Sequence, residues 1–408
     1  MKQTTGSISA TFSSCFAALT SNGKSAYCTV DSGLSASGMK VAMSLLPDAE
    51  TFKRLVDGSA RGPGAALTRL SLAAIAGPYS WAMLLRNTAY DRKWLPISAA
   101  PVPVISVGNL TLGGTGKTPL VAWVARTLGR RGHRITIVSR GYGAKPGERS
   151  DESAELSLLL PSVPHVADRD RVAGARYAAA AGAEVVVLDD GFQHRRLRRD
   201  LDIVAIDATD PFGCGHVFPR GLLREPLAGL ARAQAVVLTR AGLVPAARRT
   251  DIRLFFEKAC GSRMPGVWVE AEHRPLRLCT VSGKSQPLEE LRGKRIVAFA
   301  GIGNPAAFRV SLEKLGGQLV GFYPLTDHHI YSTADLTAIA TAAHDARADI
   351  VVTTLKDLVK VQVEHLGSIP LMALEITLEL LTGAEEMDAL LATIASASVS
   401  PRTHVRDR

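Results

Sequence analysis

Aromatic residues make up only 5% of the 408-residue chain, and no zinc-finger or RNA-binding signature accompanies them. Nucleic acid is therefore the weakest candidate among anionic partners. The five cysteines, Cys15, Cys28, Cys214, Cys260 and Cys279, stand too far apart for CxxC pairs or a disulfide framework; they fit a reducing cytoplasm and carry no assigned chemistry. No apolar run reaches the ~20 residues of a membrane span. The first sixty residues hold only short, interrupted apolar stretches with no clear cleavage site, which argues against a secretory signal. Acidic residues are also in deficit: 38 Asp and Glu against 48 Lys and Arg leave a net charge of +10. An anionic partner is expected, with an anionic membrane or a phosphorylated substrate preferred over nucleic acid.

What is present is ample apolar material, 46% of the chain, enough for two globular units with additions. Residues 1–60 are rich in Ser, Ala, Gly and Thr without sustained periodicity and read as a poorly ordered leader, within which Met39 and Met43 are alternative translation starts. Residues 61–98 contain Leu70–Leu85, sixteen mostly apolar residues interrupted by Gly77-Pro78, flanked by Arg69 and Arg86 and accompanied by Tyr79, Trp81, Tyr90 and Trp94. Two readings fit: a kinked helix lying in a bilayer interface, or a helix packed on the body of the protein.

From 99 to 261, short β-branched runs (Val102–Val107, Ile135–Ser139, Val185–Leu188, Ile203–Ile206, Ala235–Thr239) alternate with helical stretches, the pattern of a parallel sheet wrapped by helices. Residues 262–291, with several prolines and arginines, read as a connector. A second α/β set spans 292–395, and 396–408 reads as a flexible basic tail.

Between the first run and its helix lies Thr111-Leu-Gly-Gly-Thr-Gly-Lys-Thr118. The order strand, glycine loop, helix lets the backbone N–H groups of Thr111, Leu112, Gly113, Gly114, Thr115 and Gly116 turn toward an anion. Lys117 then reaches the β/γ-phosphates, and the Thr118 hydroxyl ligates magnesium. A nucleoside triphosphate site is expected, although Thr111 stands where the usual pattern opens with glycine. Val185-Val-Val-Leu-Asp-Asp190 is an apolar strand ending in two carboxylates, the place where such enzymes put an acidic group beside the metal. The basic run Gly191-Phe-Gln-His-Arg-Arg-Leu-Arg-Arg-Asp200 that follows suggests phosphate contacts. In Leu223-Arg-Glu-Pro226, Arg224 can neutralise phosphate and Glu225 can join the magnesium shell. On spacing alone, Asp151-Glu152 and Asp327-His328-His329 fit surface features more readily than a catalytic pair.

Together, Ser106-Val-Gly-Asn-Leu-Thr-Leu-Gly-Gly-Thr-Gly-Lys-Thr-Pro119, Ser139-Arg-Gly-Tyr142, Leu188-Asp-Asp-Gly-Phe-Gln-His-Arg195, Leu223-Arg-Glu-Pro226, Gly301-Ile-Gly-Asn-Pro305 and Asp327-His-His329 resemble the tetraacyldisaccharide 4′-kinases, the lipid A kinases of Gram-negative bacteria. The resemblance runs from about Leu67 to Leu391. It implies a P-loop NTPase-type fold with a second, smaller α/β domain, and transfer of the γ-phosphate of ATP, with Mg2+, to the 4′-hydroxyl of a tetraacylated glucosamine disaccharide 1-phosphate.

It also implies roles. Lys117 and Thr118 hold nucleotide and metal, Asp189, Asp190 and Glu225 serve the metal, and Tyr142, His194 and Arg224 line the phosphate and substrate site. Asp151, assisted by His328, is the base, although Ser150-Asp-Glu-Ser153 stands where the family has Gly-Asp-Glu-Pro and the segment from Tyr142 to Asp151 is short. Thr354-Leu-Lys-Asp357 matches a further family segment except at Leu355. A lipid substrate favours the interfacial reading of the apolar helix, on a peripheral or monotopic, monomeric protein at the cytoplasmic face of the bacterial inner membrane. The alternative, a membrane-associated switch ATPase of the partitioning or cell-division-site kind, calls for a signature lysine where this chain has Leu112.

Overall fold

The computed structural model describes residues 49–141, 150–327 and 329–396. The described residues divide into two compact units, one formed by 49–87, 111–113 and 212–226, the other by the described residues of 88–110, 114–211 and 227–396.

In the smaller unit, helix α1 (Ala49–Val56) is followed by the body of α2 (Pro63–Asp91), whose residues from Thr88 onward belong to the larger unit. Part of the expected leader is thus helical, because Leu55 and Val56 bury themselves against Leu72. The apolar helix extends beyond Leu70–Leu85 at both ends and continues through Gly77-Pro78. Its buried positions are Leu72 and Ala76, while Leu67, Leu70, Trp81, Leu84 and Leu85 are all more than half exposed. Those five recur on the opposite side of the helix from Leu72 and Ala76, so α2 carries an apolar stripe facing away from its own packing face.

In the larger unit the β-branched runs form strands β1 (Val104–Asn109), β2 (Ile135–Ser139), β3 (His165–Ala167), β4 (Val185–Asp189), β5 (Leu201–Asp207) and β6 (Ala235–Thr239). Farther on come β7 (Val267–Cys279), β8 (Ser285–Gln286), β9 (Arg295–Ala300), β10 (Gln318–Pro324), β11 (Ile350–Thr354), β12 (His365–Leu366) and β13 (Ile369–Thr382). They belong to one 13-stranded sheet ordered β10-β9-β11-β13-β7-β6-β5-β1-β4-β2-β3, with β8 on β7 and β12 on β13. The pairs β1·β4, β1·β5, β2·β3, β2·β4, β5·β6 and β6·β7 are parallel, as are β9·β10, β9·β11 and β11·β13. The two parallel blocks meet where β13 runs antiparallel to β7. The stretch 262–291, expected to be a connector, therefore contributes a 13-residue strand that joins the two α/β sets into one sheet.

Helices α3 (Lys117–Arg130), α4 (Asp151–Leu159), α5 (Arg171–Ala180), α6 (Ala246–Cys260), α7 (Pro305–Glu313), α8 (Thr333–Asp345), α9 (Leu355–Val361) and α10 (Ala384–Ser396) alternate with the strands. Leu120, Val121, Val124 and Leu128 recur every three or four residues on α3 and join Ile105, Val187 and Ile203 in the main core. Each such side chain is worth ~1.5–3 kcal/mol of burial. Because β1 lies between β4 and β5 while chain order leads elsewhere, its carboxyl end is a topological switch point, the usual place for a ligand in an open α/β sheet.

Candidate active site

Helix α3 begins at Lys117 with Gly116 as its N-cap, at φ 80° and ψ 27° and with no side-chain cap. The leading N–H groups are left without a side-chain acceptor at the positive end of the helix dipole. From behind, the Arg240 Nη2–H donates to the Gly114 carbonyl at 2.8 Å, and the Thr239 hydroxyl to that of Thr115 at 2.8 Å. Arg240 is itself anchored on Asp207, and Asn109 Nδ2 donates to the Thr115 hydroxyl at 3.0 Å. A Cβ on Gly116 would lie 2.6 Å from His273 Nε2, so both the left-handed φ and the close imidazole require glycine there. Burial and the Arg240 cation push His273 down to about 4, so the ring against the loop is neutral. Arg240, Thr239 and His273 were not foreseen. The only sequence signal was a polar pair closing an apolar strand.

The loop's entry belongs to the smaller unit. Thr111 forms an antiparallel bridge with Leu223, and Leu112 N–H donates to the Leu222 carbonyl at 2.7 Å, so backbone pairing supports the position where glycine is usual. Within the same unit the Tyr79 hydroxyl donates to the Arg224 carbonyl at 3.2 Å, and Asn87 Nδ2 to Glu225 Oε2 at 3.0 Å. Glu225 is 1% exposed. Helix α2 thus holds the Arg224-Glu225 pair, and burial beside Glu225 pushes the Tyr79 phenol up to about 12.

In the larger unit, register pairs Val107 with Asp189 and so places the acidic strand end beside the strand that feeds the loop. Lys117 Nζ lies 3.5 Å from Asp190 Oδ1, and Asp190 sits at φ 53°. Asp189 is buried. Burial first, then the like charges of Glu152 and Asp190, hold its carboxyl well above the ordinary range, against the pull of Lys117 and Arg171. A carboxylate pair in that condition fits a divalent cation, which would relieve both terms. Among the described residues no cluster of three or more His, Cys, Asp or Glu gathers at one point. The donor set fits magnesium, which takes one or two carboxylates and fills its shell with phosphate oxygens and water.

Asp151 is the first residue of α4. The helix is capped by Ser150, whose hydroxyl accepts from Ser153 N–H, so the altered Ser150-Asp-Glu-Ser153 context still starts a helix at Asp151. Asp151 lines a cleft of about 720 Å³ with Lys360, His329, Ile330 and Tyr331. The structure therefore brings Asp151 to the segment that follows His328; His328 itself and Tyr142 lie outside the described residues. Asp327 is bound by Lys356 Nζ at 2.7 Å.

The basic run after β4 departs from expectation. Arg195 pairs with Asp91 at 2.5 Å, Arg196 with Asp170 at 3.2 Å, and Arg199 with Asp202 at 2.9 Å. Carboxylates within the larger unit engage three of the four arginines expected at phosphate. His194 is half-buried one residue before them, its N–H bonded to the Gly191 carbonyl at 2.9 Å.

A glycine loop on a buried strand, a lysine at the helix start and an acidic strand end beside it define a nucleotide site of the P-loop class. The profile of the tetraacyldisaccharide-1-P 4′-kinase family matches residues 68–396. The tetraacyldisaccharide 4′-kinase of Anaeromyxobacter sp. (strain K) is 39% identical over 361 residues, covering 84% of this chain and 94% of that protein. That of Syntrophus aciditrophicus (strain SB) is 39% identical over 305 residues, covering 69% and 81%. A crystal structure of LpxK from Aquifex aeolicus, described as an "apo" form in complex with ATP, superposes with a TM-score of 0.63 at 31% identity, covering 80% of this chain and 99% of that one. The chain belongs to the tetraacyldisaccharide-1-P 4′-kinase family, the kinases of lipid A biosynthesis.

Proposed function

We propose that this kinase holds ATP at Thr111–Thr118 with Mg2+ at Thr118, Asp189 and Asp190, and deprotonates the acceptor hydroxyl with Asp151 assisted by His328. The observation that carries the reading is the placement of Asp151 at the head of α4, in one cleft with the residues that follow His328. Mg2+-ATP supplies the electrophilic phosphoryl group; the rest is done by the chain. Lys117 neutralises charge on the transferring phosphate, and the uncapped start of α3 orients the phosphates. A sugar hydroxyl is a weak nucleophile, so a carboxylate at hydrogen-bond distance in the Michaelis complex accelerates its attack. Arg224 and Glu225 keep the phosphate and metal roles that family membership suggests, as do Tyr142 and His194 at the substrate.

The apolar stripe of α2 supports seating at the surface of the inner membrane, with the acyl chains of the substrate left in the bilayer. No helix among the described residues is long and apolar enough to cross a membrane. The deciding experiment is incubation of purified protein with ATP, Mg2+ and the lipid disaccharide 1-phosphate, reading out a bisphosphorylated product. Asp151→Ala and His328→Ala should each lose kcat with little change in the ATP KM, and the double variant should be scarcely worse than the more damaged single one. Wild-type turnover in Asp151→Ala would overturn the assignment.

A further inference from the structure

Thr354-Leu-Lys-Asp357 has no part in the scheme above, although it opens α9, a short helix packed on α4. The Thr354 side chain caps α9 by accepting from Asp357 N–H. Asp357 is fully buried, and its Oδ2 accepts from Gly301 N–H at 2.9 Å and from the Thr354 hydroxyl at 2.7 Å. One turn later Lys360, its side chain 9% exposed, places Nζ 3.7 Å from Asp357 Oδ1 and 3.6 Å from Asp151 Oδ2. Both distances are ion pairs but longer than hydrogen bonds, so the ammonium sits between two carboxylates on the wall of the cleft. Lys356 lies four residues earlier on the same helix face. Its Nζ is 2.7 Å from Oδ1 of Asp327, the residue before His328.

We propose that α9 is the positioning platform of the base: Lys360 fixes the Asp151 carboxylate at the cleft, and Lys356 holds Asp327, the residue before His328. The inference rests on the reading of Asp151 and His328 as the base. It accounts for two lysines one turn apart that reach two acidic residues far apart in sequence. The charged and titratable groups around this point are Glu152 and Glu155 on α4, Lys356, Asp357 and Lys360 on α9, and Asp327, His329 and Tyr331 on the intervening segment. Removing Lys360 leaves Asp151 and Asp357 facing one another without the cation between them, so Asp151 takes up a proton more readily.

The test is the pH profile of kcat on the lipid acceptor. Lys360→Met should move the acid limb upward by about one pH unit, since an adjacent opposite charge is worth ~1–3 units. At pH values below the limb turnover should fall by up to about tenfold, and above the limb it should return toward wild type, with the ATP KM changed less than about twofold. Lys360→Arg should return the limb toward wild type. Lys356→Met should lower kcat without moving the limb. Because Lys360→Met also strips the partner from buried Asp357, Lys360→Met/Asp357→Asn is measured alongside. Asn keeps an acceptor for Gly301 and Thr354, and the limb should move in the same direction by less. Wild-type turnover and profile in folded Lys360→Met, or in the double variant, would overturn the platform. Asp151→Asn separates the two ideas. If it is inactive while Lys360→Met behaves as wild type, only the platform fails; if Asp151→Asn turns over normally, the base assignment itself fails.

Discussion

Ser139 and Ser153 meet on the two nitrogens of one imidazole. His165 Nε2 lies 2.9 Å from the Ser139 hydroxyl, and Nδ1 lies 2.9 Å from that of Ser153. Ser139 ends β2, His165 opens β3, and Ser153 stands in the first turn of α4, so this relay ties the start of the helix bearing Asp151 to the carboxyl edge of the sheet. It fixes the first turn of α4, at whose head Asp151 stands, through polar contacts.

Ser153→Ala removes one of those bonds. Its loss should cost about 1 kcal/mol of stability and should lower kcat several-fold while the ATP KM stays within about twofold, because the phosphate loop is untouched. Denaturant melts and steady-state kinetics on the same variant check both halves. An ATP KM that rises in step with the kcat loss would show that the relay supports the nucleotide site instead.

Lys117→Ala and Gly116→Ala strike adjacent residues and should fail differently. The first removes charge neutralisation and should cost about 10²-fold or more in kcat with the fold intact. The second forces a Cβ against His273 in a left-handed backbone, so ATP binding and thermal stability should fall together. Calorimetric ATP titration beside thermal melts distinguishes the two, and a Gly116→Ala protein that binds ATP normally would refute the steric argument.

The parallel block around the phosphate loop was legible because its strands are uninterrupted β-branched runs and its loop has a fixed spacing. Strand β7 was hidden for a physical reason: its apolar residues Val269 and Ala271 alternate with Glu270, Glu272 and Arg274, and charge in a strand looks like a linker until the partner strand is known. Across the pair, Arg277 meets Glu375 at 2.6 Å, and Arg274 meets Glu379 at 2.6 Å. The arginines after β4 misled for the converse reason. Their partners Asp91, Asp170 and Asp202 are not apparent from the run itself, so it read as open charge. Asp151 was identifiable only by resemblance, since its cap, its relay and its lysine come from four separate segments.

Glu155 offers a pH test. On α4 it is pushed up to about 7, first by burial, against the pull of Lys356, with Glu152 and Asp357 adding to the rise. The unfolded chain releases this proton near its ordinary value of 4.5, so between those values the folded state binds more protons than the unfolded one. Its contribution to stability is therefore full at low pH and is lost as pH rises through about 7. Glu155→Gln should gain stability relative to wild type as pH rises from about 4.5 to about 7 in nucleotide-free melts, with no further gain above that range. Parallel pH dependences for the two proteins would rule this contribution out.

The stripe on α2 makes the last prediction. Trp81, Leu84 and Leu85 are 66%, 55% and 52% exposed, and a Leu or Phe side chain taken fully out of water gains ~1.5–3 kcal/mol. On the proposed reading a lipid surface supplies that gain by covering the stripe. Replacing all three by Ser should abolish co-sedimentation with anionic vesicles and raise the KM for vesicle-embedded acceptor at least tenfold. Stability should change by no more than ~0.5 kcal/mol per site, and kcat on detergent-dispersed acceptor should stay within about twofold, because none of the three belongs to the phosphate loop or the Asp151 cleft. Undiminished vesicle binding would place the membrane contact elsewhere on the chain, while a large loss of stability would show that the stripe packs on protein in solution.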